Sequence, residues 1–140
     1  MKIQFLGSGD AFGSGGRLNT CFMVDAADTR FLIDCGATSL VAMNRCGVDP
    51  NSIDMILLSH LHGDHFGGVM FMLVHAHSAA KRDRPLIIAG PRTTEQRVME
   101  GDRQSVVEGR GGYLGGRRIV KNKTQLGSVH SRNRHALMAY

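Results

Sequence analysis

The chain has no tryptophan, and only two tyrosines and six phenylalanines among its 140 residues. In its basic last forty residues the aromatics are Tyr113 and Tyr140 alone. A stacking platform for single-stranded nucleic acid needs interleaved rings, so that binding mode is excluded there. Long apolar runs are also missing. The longest, Val69 to Val74, is far too short to span a bilayer. The first residues carry one lysine and no apolar core, so no secretory signal is expected in them. Cysteine is scarce and odd in number, and Cys21, Cys35 and Cys46 form no C-x-x-C pair. That argues against a disulfide framework and against a thiolate metal site. Three reduced core thiols in a cytoplasmic protein are expected instead. Glycine is plentiful between Gly7 and Gly16, but no Gly-Lys-Ser/Thr follows, so this is no phosphate loop. It reads as a flexible loop after the first strand, near the rim of a site. No internal repeat is visible.

What is present fits one globular domain over 1–140, with 42% apolar residues. Charge is uneven. Residues 1–100 hold nine Lys/Arg and ten Asp/Glu, whereas 101–140 hold eight and two, a net +6. The latter segment is also Gly-rich, with five glycines between Gly109 and Gly116, and its order is uncertain from sequence. A basic segment can attract phosphate backbones, but a solvated loop is the favoured reading. Strands are expected at Lys2–Leu6, Cys21–Asp25, Arg30–Asp34, Ile53–Ser59 and Leu86–Ala89. Helices are expected over Ala37–Cys46, stopped by Gly47, and over Phe66–Ala80, apolar nearly all round. Thr93 and Gln96 suggest a capping box for a short helix ending at Gly101. Alternating strands and helices give an α/β class.

The chemistry is concentrated in His60-Leu61-His62-Gly63-Asp64-His65. This H-x-H-x-D-H string packs four metal-capable side chains into one turn. Imidazole nitrogen and carboxylate oxygen are ligands for Zn²⁺ and similar ions. From the composition, chance would produce the pattern with a probability on the order of 10⁻³. The string lies between an apolar strand and a Gly-rich helix start, where a rigid scaffold can hold it. His75 and His77 also form an H-x-H pair, but on a helix residues two apart face different ways. The eight methionines are scattered through core segments and suggest packing.

Together these residues resemble the metallo-β-lactamase superfamily. Met1 to Gly9 looks like its first strand and glycine turn. Phe31-Leu32-Ile33-Asp34-Cys35-Gly36 looks like its "strand, Asp, Cys/Thr, Gly" element, and Leu86 to Pro91 like the strand after the metal loop. The resemblance covers 1 to about 100. It implies the N-terminal portion of an αββα sandwich, with the C-terminal part missing. It implies one or two Zn²⁺ ions, with Mn²⁺ or Fe as alternatives. His60 and His62 would go to one ion, Asp64 and His65 to the other, and a metal-bound hydroxide would attack the substrate. A third histidine completes the first ion's set in the family. Val129-His130-Ser131 resembles its setting, so His130 is assigned there, with His135 as competitor. The family's bridging Asp and last His have no counterpart, which leaves the second ion with two ligands. Asp64 and Asp34 are the expected catalytic residues, Asp34 supporting the metal loop or capping its own turn.

The resemblance therefore implies a metal-dependent hydrolase of phosphodiesters or related esters. The substrate expected is a small molecule or nucleotide, with no membrane partner and a homo-oligomer as an open option. Ribonuclease Z-like RNA processing is the runner-up, because Asp34-Cys35-Gly36-Ala37-Thr38-Ser39 departs from that group's Asp-x-Gly-Glu-Gly-Thr-Gln. A weakly active or non-catalytic fragment, paired through an unfinished sheet edge, is the third reading.

Overall fold

The computed structural model describes residues 1–80, 82–104 and 136–139. Strands β1 (Lys2–Gly7), β2 (Cys21–Asp25) and β3 (Arg30–Ile33) form an antiparallel meander. Helix α1 (Ser39–Arg45) then crosses to β4 (Met55–Leu57), which pairs parallel with β3. Two short helices, α2 (Gly63–Phe66) and α3 (Val69–Val74), lead to β5 (Ile87–Gly90), again parallel. Helix α4 (Thr94–Gln104) follows, and β6 (Ala136–Ala139) pairs antiparallel with β5. The result is a six-stranded sheet in sequence order. The expected α/β class and all five expected strands are present. β4 is shorter than the expected Ile53–Ser59 at both ends; before it Pro50–Ser52 forms a 3-10 turn, which Asp49 caps by accepting from Asn51 N.

One face of the sheet carries the helices. Leu32, Ile56 and Ile88 pack there with Met43, Val69, Met72 and Val98 in a continuous core. The other face is also apolar. The strand register puts Ile3, Phe5, Phe22, Val24, Phe31, Ile33, Met55, Leu57 and Ile87 on one side. Phe5 is 70% exposed and Ile3 52%, while Phe5 meets Phe22 edge to face at 4.9 Å. An αββα layering would set this face against a second sheet; the described residues build one.

Three expectations need correction. The helix expected over Phe66–Ala80 is broken: α2 ends at Phe66, Gly67 and Gly68 turn, α3 follows, and His75–Ala79 closes as a π turn. At the break Gly68 N donates to Cys35 O at 2.8 Å, outside the helix. A Cβ on Gly68 would stand 2.2 Å from the Gly36 carbonyl oxygen, so the chain must be glycine to lie against the β3 end. Phe71 on α3 is exposed, so that helix is not buried all round. Gly101 is not a stop either. Helix α4 runs past it, and a Cβ there would meet Met70 Sδ at 2.8 Å. The glycine lets α4 approach α3. The capping box is absent as well, since Gln96 Nε2 donates to Glu100 Oε1 rather than reaching back. Among the described residues no helix is long and apolar enough to cross a membrane.

Candidate metal centre

The H-x-H-x-D-H loop leaves the carboxyl end of β4, beside the carboxyl end of the parallel strand β3. In open α/β sheets, ligands sit at such strand ends. Three backbone hydrogen bonds weld this region to the β3 end, Asp34 N to Leu57 O at 2.8 Å, Cys35 N to His65 O at 2.7 Å and Gly68 N to Cys35 O at 2.8 Å, and a fourth, Leu58 N to Ala89 O at 2.7 Å, reaches β5. His62 caps α2, its carbonyl accepting from His65 N and Phe66 N. The loop is thereby a fixed turn on a rigid sheet.

The side chains converge. The His60 ring lies 4.0 Å from that of His65 and 4.8 Å from that of His62, centroid to centroid. Asp64 Oδ2 is 3.4 Å from His65 Nε2. Behind them sits Asp34, 4% exposed, with φ 59°. A left-handed backbone in a non-glycine residue is strained and persists where the surroundings over-determine it. Here its carboxylate takes three contacts. Oδ1 accepts from Ser59 N at 2.7 Å; Oδ2 lies 2.8 Å from Ser59 Oγ and 2.7 Å from His65 Nδ1. Ser59 Oγ in turn lies 3.0 Å from His60 Nδ1. The Asp34 side chain thus bonds to residues of the motif loop, Ser59 and His65. It stands behind the histidines and is not among the residues that line the cleft.

In front is an open cleft of about 590 Å³, lined by Ala11, Asn19, Ala37, Leu61, His62, Asp64 and Arg97 among others. Asn19 was not expected from sequence. It is locked by Thr38, whose Oγ1 accepts from Asn19 N at 2.8 Å and whose N donates to Asn19 Oδ1 at 3.2 Å; its Nδ2 donates to Asp10 O at 2.9 Å. A lone loop asparagine carries no sequence signal. The glycine loop does reach the rim, through Ala11, but it is tied down rather than loose. Asp10 Oδ1 accepts from Phe12 N and Ser14 N, both at 3.0 Å, and Ser14 holds the Asp10 carboxyl down to about 2.

Among the described residues no three His, Cys, Asp or Glu groups already surround one point. The motif side chains lean on one another, His65 against Asp64 and His60 against His65. The donor set still fits a divalent ion, because neutral imidazoles and a carboxylate are the ligands such ions take. Cys21 and Cys35 are buried beside this loop, and burial pushes the Cys21 thiol up to about 11 and the Cys35 thiol up as well. Neutral thiols are poor ligands. Cys46, expected in the core, is exposed at the end of α1. His75 and His77 lie on the π turn. His130 and His135 lie outside the described residues.

Residues 1–99 match the family described as Anti-Pycsar protein Apyc1. The chain belongs to this family. It is 39% identical over 69 residues to the Anti-Pycsar protein Apyc1 of Paenibacillus sp. (strain J14), covering 49% of this chain and 28% of that protein. It is 34% identical over 91 residues to a Ribonuclease Z of Methanothermobacter thermautotrophicus, covering 65% and 29%. The chain thus spans less than a third of these relatives. Among solved structures, human tRNase Z, short form, superposes with a TM-score of 0.65 at 27% identity, over 75% of this chain and 39% of that one. The metallo-β-lactamase fold protein YhfI from Bacillus subtilis gives 0.57 at 22% identity, over 70% and 41%. The fold is that of the metallo-β-lactamase superfamily, as the motifs implied, and the chain corresponds to its N-terminal portion.

Proposed function

We propose that this chain carries the metal-binding part of a hydrolase that cleaves phosphodiesters or related esters of a small molecule or nucleotide. The carrying observation is the arrangement around Asp34. Two motif histidines have their Nδ1 sides tied inward, which turns Nε2 of His60 and of His65 towards the loop's other donors; His65 Nε2 lies 3.4 Å from Asp64 Oδ2, and His62 lines the open cleft. His60, His62 and His130 would hold one ion, Asp64 and His65 a second. Zn²⁺, or Mn²⁺ or Fe in its place, would supply Lewis acidity and an acidified water there. The chain's own residues would bind and orient. The Arg97 guanidinium on the cleft wall suits a non-bridging phosphate oxygen, and among the described residues its ion pair is a 3.7 Å contact to Glu100. Leu61 and Ala37 offer an apolar patch to the ester group.

The test is hydrolysis of bis-p-nitrophenyl phosphate by the metal-loaded chain. Turnover should disappear with a strong chelator, and Arg97→Ala should raise KM about 3–10-fold with little change in kcat. Chelator-resistant turnover would refute the proposal.

A second reading, RNA processing, is favoured by the relatives named Ribonuclease Z and tRNase Z and by the net +6 of residues 101–140. Phosphate contacts release counterions, so such binding should fall steeply with salt. We expect no tight RNA complex at physiological salt. A tight, salt-sensitive complex weakened by neutralising Arg117, Arg118, Lys121 and Lys123 would promote this reading.

A further inference from the structure

We infer that Ser59 is a positioning residue that passes the orienting effect of Asp34 on to His60, so that one buried carboxylate fixes the tautomers of two metal-loop histidines. The inference rests on the metal-site reading above, but the hydrogen count stands on its own. An ionised carboxylate only accepts. Asp34 Oδ2 faces both Ser59 Oγ at 2.8 Å and His65 Nδ1 at 2.7 Å. The single hydroxyl hydrogen of Ser59 must therefore point at Oδ2, and His65 must carry its proton on Nδ1. With that hydrogen committed, Ser59 Oγ can only accept at its 3.0 Å contact with His60 Nδ1. So His60 carries its proton on Nδ1 too. A neutral imidazole has one lone pair, and in His60 it is left on Nε2, whereas His65 Nε2 lies 3.4 Å from the Asp64 carboxylate.

His60 and His65 come from opposite ends of the motif and are assigned to different ions. Asp34 reaches His65 directly but His60 only through the hydroxyl. An alanine at 59 would keep the backbone bond from residue 59 N to Asp34 Oδ1 and lose only the relay. Threonine would keep both. This separates a relay from a merely structural serine.

The experiment is ¹⁵N-resolved histidine NMR on the metal-free 140-residue chain at about pH 8.5, where imidazoles are neutral. His60 and His65 should both be Nδ1–H tautomers. In Ser59→Ala, His60 alone should move towards a tautomer mixture, and Ser59→Thr should restore it. Zn²⁺ titration should show affinity lowered about 10-fold by Ser59→Ala and regained by Ser59→Thr. An Nε2–H His60 in the unmodified chain would overturn the inference, and that reading holds even if Ser59→Ala fails to fold. So would a Ser59→Ala chain with an unchanged His60 spectrum and unchanged affinity. If the tautomers are as expected yet no Zn²⁺ binds, the relay stands and the hydrolase proposal falls.

Discussion

Replacing Asp34 by Asn would keep the side-chain volume and a residue that tolerates the left-handed backbone. It would also turn one acceptor into a donor. Oδ1 must still accept from Ser59 N, so the amide NH₂ would face His65 Nδ1 and Ser59 Oγ. His65 would then have to accept at Nδ1 and carry its proton on Nε2, the atom a metal needs. Asp34→Asn should therefore weaken Zn²⁺ binding about 10–100-fold while the chain stays folded. Isothermal titration beside thermal unfolding checks this, and undiminished affinity would show that the carboxylate has no say in the histidines. At the level of single residues the candidate donors stood out in the sequence through residue type and spacing. His60, His62, Asp64 and His65 were legible because four metal-capable side chains in six residues are rare. The partners Ser59 and Asn19 were not, because their roles depend on contacts 25 and 19 residues away along the chain. Cys46 misled for the related reason that apolar neighbours on a helix do not say which face a residue takes.

Two glycines beside the motif look alike in sequence and differ in the structure. A Cβ on Gly36 would fall 2.1 Å from the Asp64 carbonyl oxygen and 2.4 Å from Asn19 Cβ, whereas one on Gly63 would meet nothing within 4 Å. Gly36→Ala should push the metal loop off the end of β3, destabilise the chain by about 1–3 kcal/mol and lower metal affinity. Gly63→Ala, at the first position of α2, should be neutral or slightly stabilising. Denaturant unfolding of the two variants tests the contrast, and equal losses would contradict the close approach. The strands were readable from apolar runs and the turn Ala26–Thr29, which closes through Ala26 N to Thr29 O at 2.9 Å. Gly47 ends α1 with φ 65°, as its position after the apolar period implied. Gly101 was read as a stop and Gly68 as helix interior, and both readings missed that these glycines serve close packing between elements that are distant along the chain.

Taken whole, the molecule has a helix-covered sheet with a second apolar face. Ile3 and Phe5 stand open on it, and Phe22, Phe31, Met55 and Leu57 are half-buried beside them. Exposed apolar surface of this kind marks association or aggregation. The chain should bind a hydrophobic fluorescent dye, and Ile3→Thr with Phe5→Ser should reduce that signal markedly without lowering the unfolding midpoint. A dye-silent parent chain would mean that the face is covered. Whether the motif holds a catalytic metal is read from elemental analysis after dialysis against a weak chelator. In the proposed assignment His60, His62 and His130 would supply three nitrogens, the usual protein share of an open zinc site, while Asp64 and His65 would supply two donors to a second ion. The expected result is about one tightly held ion per chain, a loosely held second, feeble diesterase turnover, and loss of both metal and turnover in His62→Ala. Unchanged metal content and unchanged turnover in His62→Ala would contradict it.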